Sequence, residues 1–291
     1  ANLGMSYSIS NVLAETGLPN IMRWLPFDIE EQDLRNRIKN KMIRPTTNPQ
    51  SKIELMVEQA IAREALRLAL DQHKLLAVGL KGVQRERSIS DAFEQTSSGA
   101  TLINMLTLDL IVGSGGILSH APRRVQSAVM MLDAYQPLGF TQLSVDSIFM
   151  MPHLGVLSTV HEAAATAVFE KDCMVYLGPS ISPFPQGKEG EPCLEYEIKY
   201  KTGRNLSDKI TCGDLKLYPL GVGEEATITV TPAKGFNVGA GPGKPMTRTV
   251  IGGVVGIIFD ARGRPLALPE DKAKRVETIT KWNHSVNMYP R

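Results

Sequence analysis

The sequence predicts an α/β lobe followed by a β-rich region, and three observations lead there. Up to residue 174, apolar residues recur mainly at helical spacing. From residue 175 the period shifts towards two. Between 108 and 136, an apolar run enters a glycine cluster and leaves as an amphipathic helix, the signature of alternating strands and helices. The expected division is 1–174 for the α/β lobe and 175–291 for the β-rich domain.

The elements follow in order. Asp28, with Glu31 three residues on, opens a helix whose stripe is Leu34, Ile38 and Met42, and Pro45 and Pro49 bracket the turn after it. Ser51 with Glu54 is a capping-box pattern for a long helix over 52–76. Its expected apolar face is Ile53, Val57, Ala60, Ile61, Leu68 and Leu75, with Gly79 and Gly82 just beyond. Leu108, Leu110, Ile111 and Val112 read as a buried strand, Arg123 to Tyr135 as its helix with Pro122 at the first helical position, and Leu143, Val145 and Ile148 as another strand. Ser158 reads as the cap of an alanine-rich helix through Ala167. Ser180 to Pro192 reads as a linker. Leu194, Tyr196, Ile198 and Tyr200 alternate, as do Leu215 and Leu217, and Ala226, Ile228 and Val230. Val254 to Phe259 is a continuous apolar run, Ala261 to Arg264 a hairpin turn, and a short helix follows Pro269.

Composition narrows the function classes. Of 291 residues, 43% are hydrophobic and 21% charged, which are globular values, and the length allows two cores. A net charge of +2 gives no case for an electrostatic nucleic-acid binder. No apolar run approaches the roughly 20 residues that cross a bilayer, and 1–10 lacks the pattern of a signal peptide. Three widely spaced cysteines, Cys173, Cys193 and Cys212, and five scattered histidines predict no metal site and suit a reducing cytoplasm. Met130-Met131 and Met150-Met151 read as core filler, and Trp24 and Trp282 as packing at domain surfaces.

The chemistry concentrates in Gly113, Ser114, Gly115 and Gly116. A strand that runs into glycines and a helix N-terminus presents bare backbone N–H groups and a positive dipole end, which suits a nucleotide or another anion. Gly-Gly also serves to pack a helix tightly on a sheet, and spacing alone leaves both readings open. The cluster matches neither G-x-G-x-x-G nor a P-loop. A second cluster, Gly235, Gly239, Gly241 and Gly243 with Lys244, reads either as a ligand or partner loop or as a wide hairpin connection; no helix pattern follows it. Asp109, Asp133 and Asp146 are the available carboxylates, with Asp133 expected to be solvated and Asp146 the best placed. Arg63 and Glu64 read as a surface pair or as neighbours of a bound base; His120 and His153 read as structural.

Several segments together resemble one family. They are Asn2-Leu-Gly-Met5, Ile43-Arg-Pro-Thr46, Gln59-Ala-Ile-Ala62, Gly113 to Gly116 with Leu118-Ser-His-Ala-Pro-Arg123, Asp146 to Gly155, Gly239-Ala-Gly-Pro-Gly243 and Gly252-Gly-Val-Val-Gly256. In this order, over nearly the whole chain, they are similar to the glutamate (methylaspartate) mutase accessory family called MutL, which is unrelated to the mismatch-repair protein of that name. The resemblance implies an accessory or reactivating chaperone of an adenosylcobalamin-dependent mutase, in the actin, sugar-kinase and Hsp70 class of ATPases, whose ribonuclease-H-like lobes close over ATP or ADP with Mg²⁺. It places Gly113, Ser114, Gly115 and Gly116 against the nucleotide, Arg123 near the base, and Leu3 and Gly4 at the second phosphate hairpin. The loop at 235–243 is the candidate mutase contact.

Two departures qualify the resemblance. The class's first phosphate loop is absent, so the chain is expected to start at the second lobe, with a separate chain as a candidate source of the first. Asn2 also stands where an Asp is expected, so ATP hydrolysis by this chain is expected to be weak or absent. A small-molecule kinase using Asp146 and a nucleotide-independent interaction module are the alternatives.

Overall fold

The structure, a computed structural model, describes residues 2–77 and 102–290; Gly79 and Gly82 lie outside the described residues. It is a mixed α/β arrangement of two sheets, seven α-helices and one π-helical turn (Phe169–Cys173) among those residues. Three helices come first: α1 (Ile9–Met22), α2 (Glu31–Ile43) and α3 (Lys52–Leu76). The sequence reading gives no helix over 9–22, because Gly17, at φ +75°, breaks α1 and Pro19 follows it. α3 begins where its cap predicts. The Ser51 Oγ accepts from the Glu54 amide and the Glu54 carboxylate accepts from the Ser51 amide, both at 3.2 Å. Its buried face differs from the expected one: Ile53 and Leu75 are exposed, while Arg63 and Glu64 are buried beside Val57, Ala60 and Ile61.

The strands are β1 (Leu110–Gly113), β2 (Gly139–Asp146), β3 (Met174–Ser182), β4 (Pro192–Tyr200), β5 (Asn205–Thr211), β6 (Leu215–Tyr218), β7 (Glu225–Pro232), β8 (Met246–Ile251) and β9 (Ile257–Asp260). One sheet has the order β1-β2-β3-β9-β6, with β1 parallel to β2, β3 parallel to β9, and the other two pairings antiparallel. The second is antiparallel, in the order β5-β4-β7-β8. The change of period near residue 175 is the start of β3, but the first sheet crosses it: β3, β6 and β9 complete the sheet that β1 and β2 begin.

The layers explain the patterns. Helices α3, α5 (Arg124–Tyr135) and α7 (Lys272–Ser285) cover one face of the five-stranded sheet, where Leu143, Val145, Leu177 and Ile258 meet Val129, Leu132 and Trp282. The second sheet covers the other face with Leu194, Tyr196, Ile198, Ile228 and Val230. The Tyr196 ring stacks on Phe259 with centroids 3.8 Å apart. β9 therefore has apolar partners on both sides, and its uninterrupted apolar run is what burial on two faces requires. α1 and α2 pack outside α3 through Ile9, Val12, Ile21, Leu34 and Ile38.

Several expectations are corrected. β1 is an edge strand and only partly buried, with Leu110 exposed. Pro122 precedes α5 by two residues, because Arg123 is its N-cap. Ile148 lies beyond β2 and is exposed, and Ser158 sits inside α6 (Met151–Val168) rather than capping it. Ser180 and Ser182 belong to β3, not to a linker. Ala261 to Arg264 forms no hairpin: its two arginines turn into the core. Trp24 and Trp282 are buried too.

Candidate functional site

The parallel pair β1–β2 ends at Gly113 and Asp146, with Gly113 paired to Val145. The chain leaves β1 through Ser114 and Gly115 into a single helical turn, α4 (Gly116–Ser119), and α5 starts only at Arg124. The expected helix at 123–135 is α5, and the single turn α4 stands between it and the glycines, so the turn adjoins only this short helix. What the turn does offer is open backbone. The amides of Ser114, Gly115 and Gly116 make no hydrogen bond among the described residues. A Cβ on Gly115 or Gly116 would meet no atom within 4 Å.

The glycines divide the two readings between them. A Cβ on Gly113 would stand 2.8 Å from the Met131 Sδ and 2.9 Å from the Leu118 Cδ1, so this glycine is required by packing. Gly115 has φ +105°, a conformation side chains rarely adopt. Gly116 is constrained by neither packing nor a positive φ.

Beneath the turn lies Asp146, which is fully buried. Its Oδ1 accepts from the Met150 amide at 3.1 Å and its Oδ2 from the Met151 amide at 2.8 Å, so the carboxylate caps α6. The Ser114 hydroxyl reaches the same Oδ2 at 3.4 Å, and the Ser119 Oγ donates to the Asp146 carbonyl. Ser144, also fully buried and on the same face of β2, has no partner for its hydroxyl. A carboxylate held by two amides and a hydroxyl orients a loop; it is not a free base, and this weighs against the kinase reading. Of the other carboxylates, Asp109 is exposed and meets Arg248 at 3.3 Å. Asp133, expected in solvent, is 3% exposed and bound by Arg63 and Arg262.

The remaining predicted positions are spread over the molecule. The Arg123 amide donates to the Gln126 Oε1 at 3.3 Å, and its guanidinium forms no ion pair among the described residues. Leu3 packs on the α1–α3 cluster and Gly4 lies against Ser8. The second glycine cluster joins β7 to β8, which is the hairpin reading. The Asn237 Oδ1 accepts from the amides of Gly239 at 2.7 Å and Gly241 at 3.0 Å. Val238 is buried against Gly139, while Gly243 and Lys244 are exposed. Since Gly139 opens β2 and Asp146 closes it, the two glycine clusters sit at opposite ends of one strand, roughly 23 Å apart at about 3.3 Å per residue.

A sequence model of the MutL protein family matches residues 1–173. The chain belongs to the MutL family. No curated protein and no solved structure matches it. In this MutL-family chain the matched segment holds α1 to α6, the glycine turn and Asp146, and it ends immediately before β3.

The sequence reading missed one constellation. Arg63, Asp133, Arg262, Asp260 and Arg264 form a chain of buried ion pairs at 2.6–2.8 Å. Burial raises the Asp260 carboxyl, but Arg262 and Arg264 outweigh it and hold it well below the usual carboxylate range. The available signal was an acid inside an apolar run, in Met130-Met-Leu-Asp133 and Ile257-Ile-Phe-Asp260.

Proposed function

We propose that this MutL-family chain binds ATP or ADP with Mg²⁺ at the glycine turn, as an accessory factor that reactivates an adenosylcobalamin-dependent mutase such as glutamate mutase. One observation carries the nucleotide reading. Gly115 and Gly116 hold free amides, with open space where a side chain would stand, at the carboxyl ends of two parallel strands. The carboxyl ends of parallel strands are where open α/β sheets take their ligands. Phosphate oxygens would accept from these amides, and a Mg²⁺ accompanying the nucleotide would offset part of the phosphate charge. Family membership supports the mutase as partner class. The strand–glycine–helix connection on a mixed sheet supports a lobe of the ribonuclease-H-like kind. ATP drives an exchange of damaged for intact coenzyme only if it binds two lobe arrangements differently.

The exposed tip at Gly243 and Lys244 is our candidate mutase contact. Cytoplasmic location is part of the same reading, and the three buried free thiols suit a reducing compartment. No helix among the described residues is long and apolar enough to cross a membrane.

Calorimetry and thermal melting with ATP and ADP test the nucleotide, and recovery of inactivated mutase with and without ATP tests the role. Heat release, a raised melting temperature and ATP-dependent recovery are expected. No heat and no shift would overturn the nucleotide reading in favour of an interaction module. Lys244→Ala should weaken recovery and leave ATP binding unchanged.

A further inference from the structure

The segment between β2 and α6 carries a feature that capping does not explain. Phe149 adopts φ +59°, a left-handed conformation uncommon for a bulky residue. Its side chain is half exposed, as is that of Ile148 beside it. An aromatic ring left in water and a strained backbone are both unfavourable, and such outliers persist only where the surroundings impose them. Here the surroundings are rigid. Asp146 binds the amides of Met150 and Met151, and the Ser147 amide and hydroxyl both donate to the Cys173 carbonyl, at 2.8 and 2.9 Å. The loop is therefore held at both ends while its apolar tip stays uncovered.

Its position gives that tip a use. The loop leaves the carboxyl end of β2, the strand paired with β1, and the turn at Gly113–Gly116 leaves the carboxyl end of β1. The Ser114 hydroxyl and the Asp146 carboxylate, 3.4 Å apart, join turn and loop. The neighbouring ends of β1 and β2 thus carry open amides on one loop and, on the other, an exposed aromatic tip tied to the first through the shared carboxylate. A nucleotide has this duality: an anionic tail that takes N–H donors and a flat base that stacks on aromatic rings.

We propose that Phe149, flanked by Ile148, is the platform on which the base of the nucleotide packs while its phosphates lie on the glycine turn. The inference rests on the nucleotide reading above and adds the residue that distinguishes a nucleotide from a bare polyphosphate. Stacking of this kind is worth roughly five- to hundredfold in affinity.

The test is calorimetry of the full chain with two probes, ATP and inorganic tripolyphosphate. Phe149→Ala should weaken ATP binding at least fivefold and leave tripolyphosphate binding unchanged, and Phe149→Trp should keep ATP affinity near that of the parent. Unchanged ATP binding by Phe149→Ala overturns the assignment, and so does an equal loss for both probes, which would mark a purely structural role. If the parent chain binds neither probe, the nucleotide reading itself falls. If it binds ATP and only the Phe149 variants behave like the parent, that reading stands and the platform alone is lost.

Discussion

Asp133 and Arg262 lie 129 residues apart in the chain and meet at 2.7 Å in the core. The second oxygen of Asp133 takes the Arg63 Nε at 2.6 Å. Arg262 continues to Asp260 through two bonds of 2.8 Å, and Arg264 meets the same carboxylate at 2.8 Å. Helices α3 and α5, strand β9 and the segment after it are thus joined by charges that are no more than 5% exposed.

Removing one member leaves its partners charged and buried. Asp133→Ala should cost about 3–5 kcal/mol, the usual penalty for an uncompensated buried charge. Urea unfolding measures it, and a loss below about 1 kcal/mol would show that the neighbouring groups relax or hydrate the site.

The glycine turn separates packing from binding. Gly113→Ala forces a methyl against Met131 and Leu118 and should lower stability by about 1–3 kcal/mol. Gly116→Ala meets nothing, so stability should stay within about 0.5 kcal/mol, while ATP affinity falls because the new methyl occupies the open face. Parallel melts and titrations of the two variants check this, and equal behaviour of both would contradict it.

Asp146 is assigned as an anchor. Asp146→Ala frees the amides of Met150 and Met151 and should destabilise by about 1–2 kcal/mol, as loss of a helix cap does. Phosphoryl transfer to acids or sugars that vanishes in Asp146→Asn would instead support the kinase reading.

Acid should destabilise the fold, with a definite sign. Asp208 is raised by burial, but Lys216 and Tyr218 outweigh that and hold it at about 2. Asp260 is held low by its two arginines, and Glu64, although burial raises it, ends low through Trp24, Thr16 and Arg23. In the unfolded chain these groups titrate at about 3.9 to 4.3. Depressed folded values mean that their stabilisation is complete above about pH 4.5 and is lost as pH falls towards 2. Urea midpoints at constant ionic strength should be flat from about pH 7 to 5 and drop below about pH 4. A midpoint that rises on acidification would refute the assignment.

Much of this molecule was legible where the determining interactions are short-range. The cap of α3 involves Ser51 and Glu54, three residues apart, and the inward faces of β4 and β7 follow from alternation alone. The glycine turn was visible as composition. Its division into one packing glycine and an open pair was not, because that depends on where Met131 and Leu118 stand. Asp133 was misread because helical periodicity tells which face a residue occupies but not whether an arginine from the segment after β9 waits there.

The sequence by itself determined α2, α3, α5 and the alternating strands β4, β6 and β7, the α/β character, the family resemblance and the place of the turn, since each is set by residues within a few positions of one another. Only the tertiary structure decided that β3, β6 and β9 complete the first sheet, that five charges lie buried in its core, and that Phe149 is left exposed on a loop tied to Asp146. Those outcomes hang on contacts between residues distant along the chain, and no local pattern encodes the partner of a buried charge.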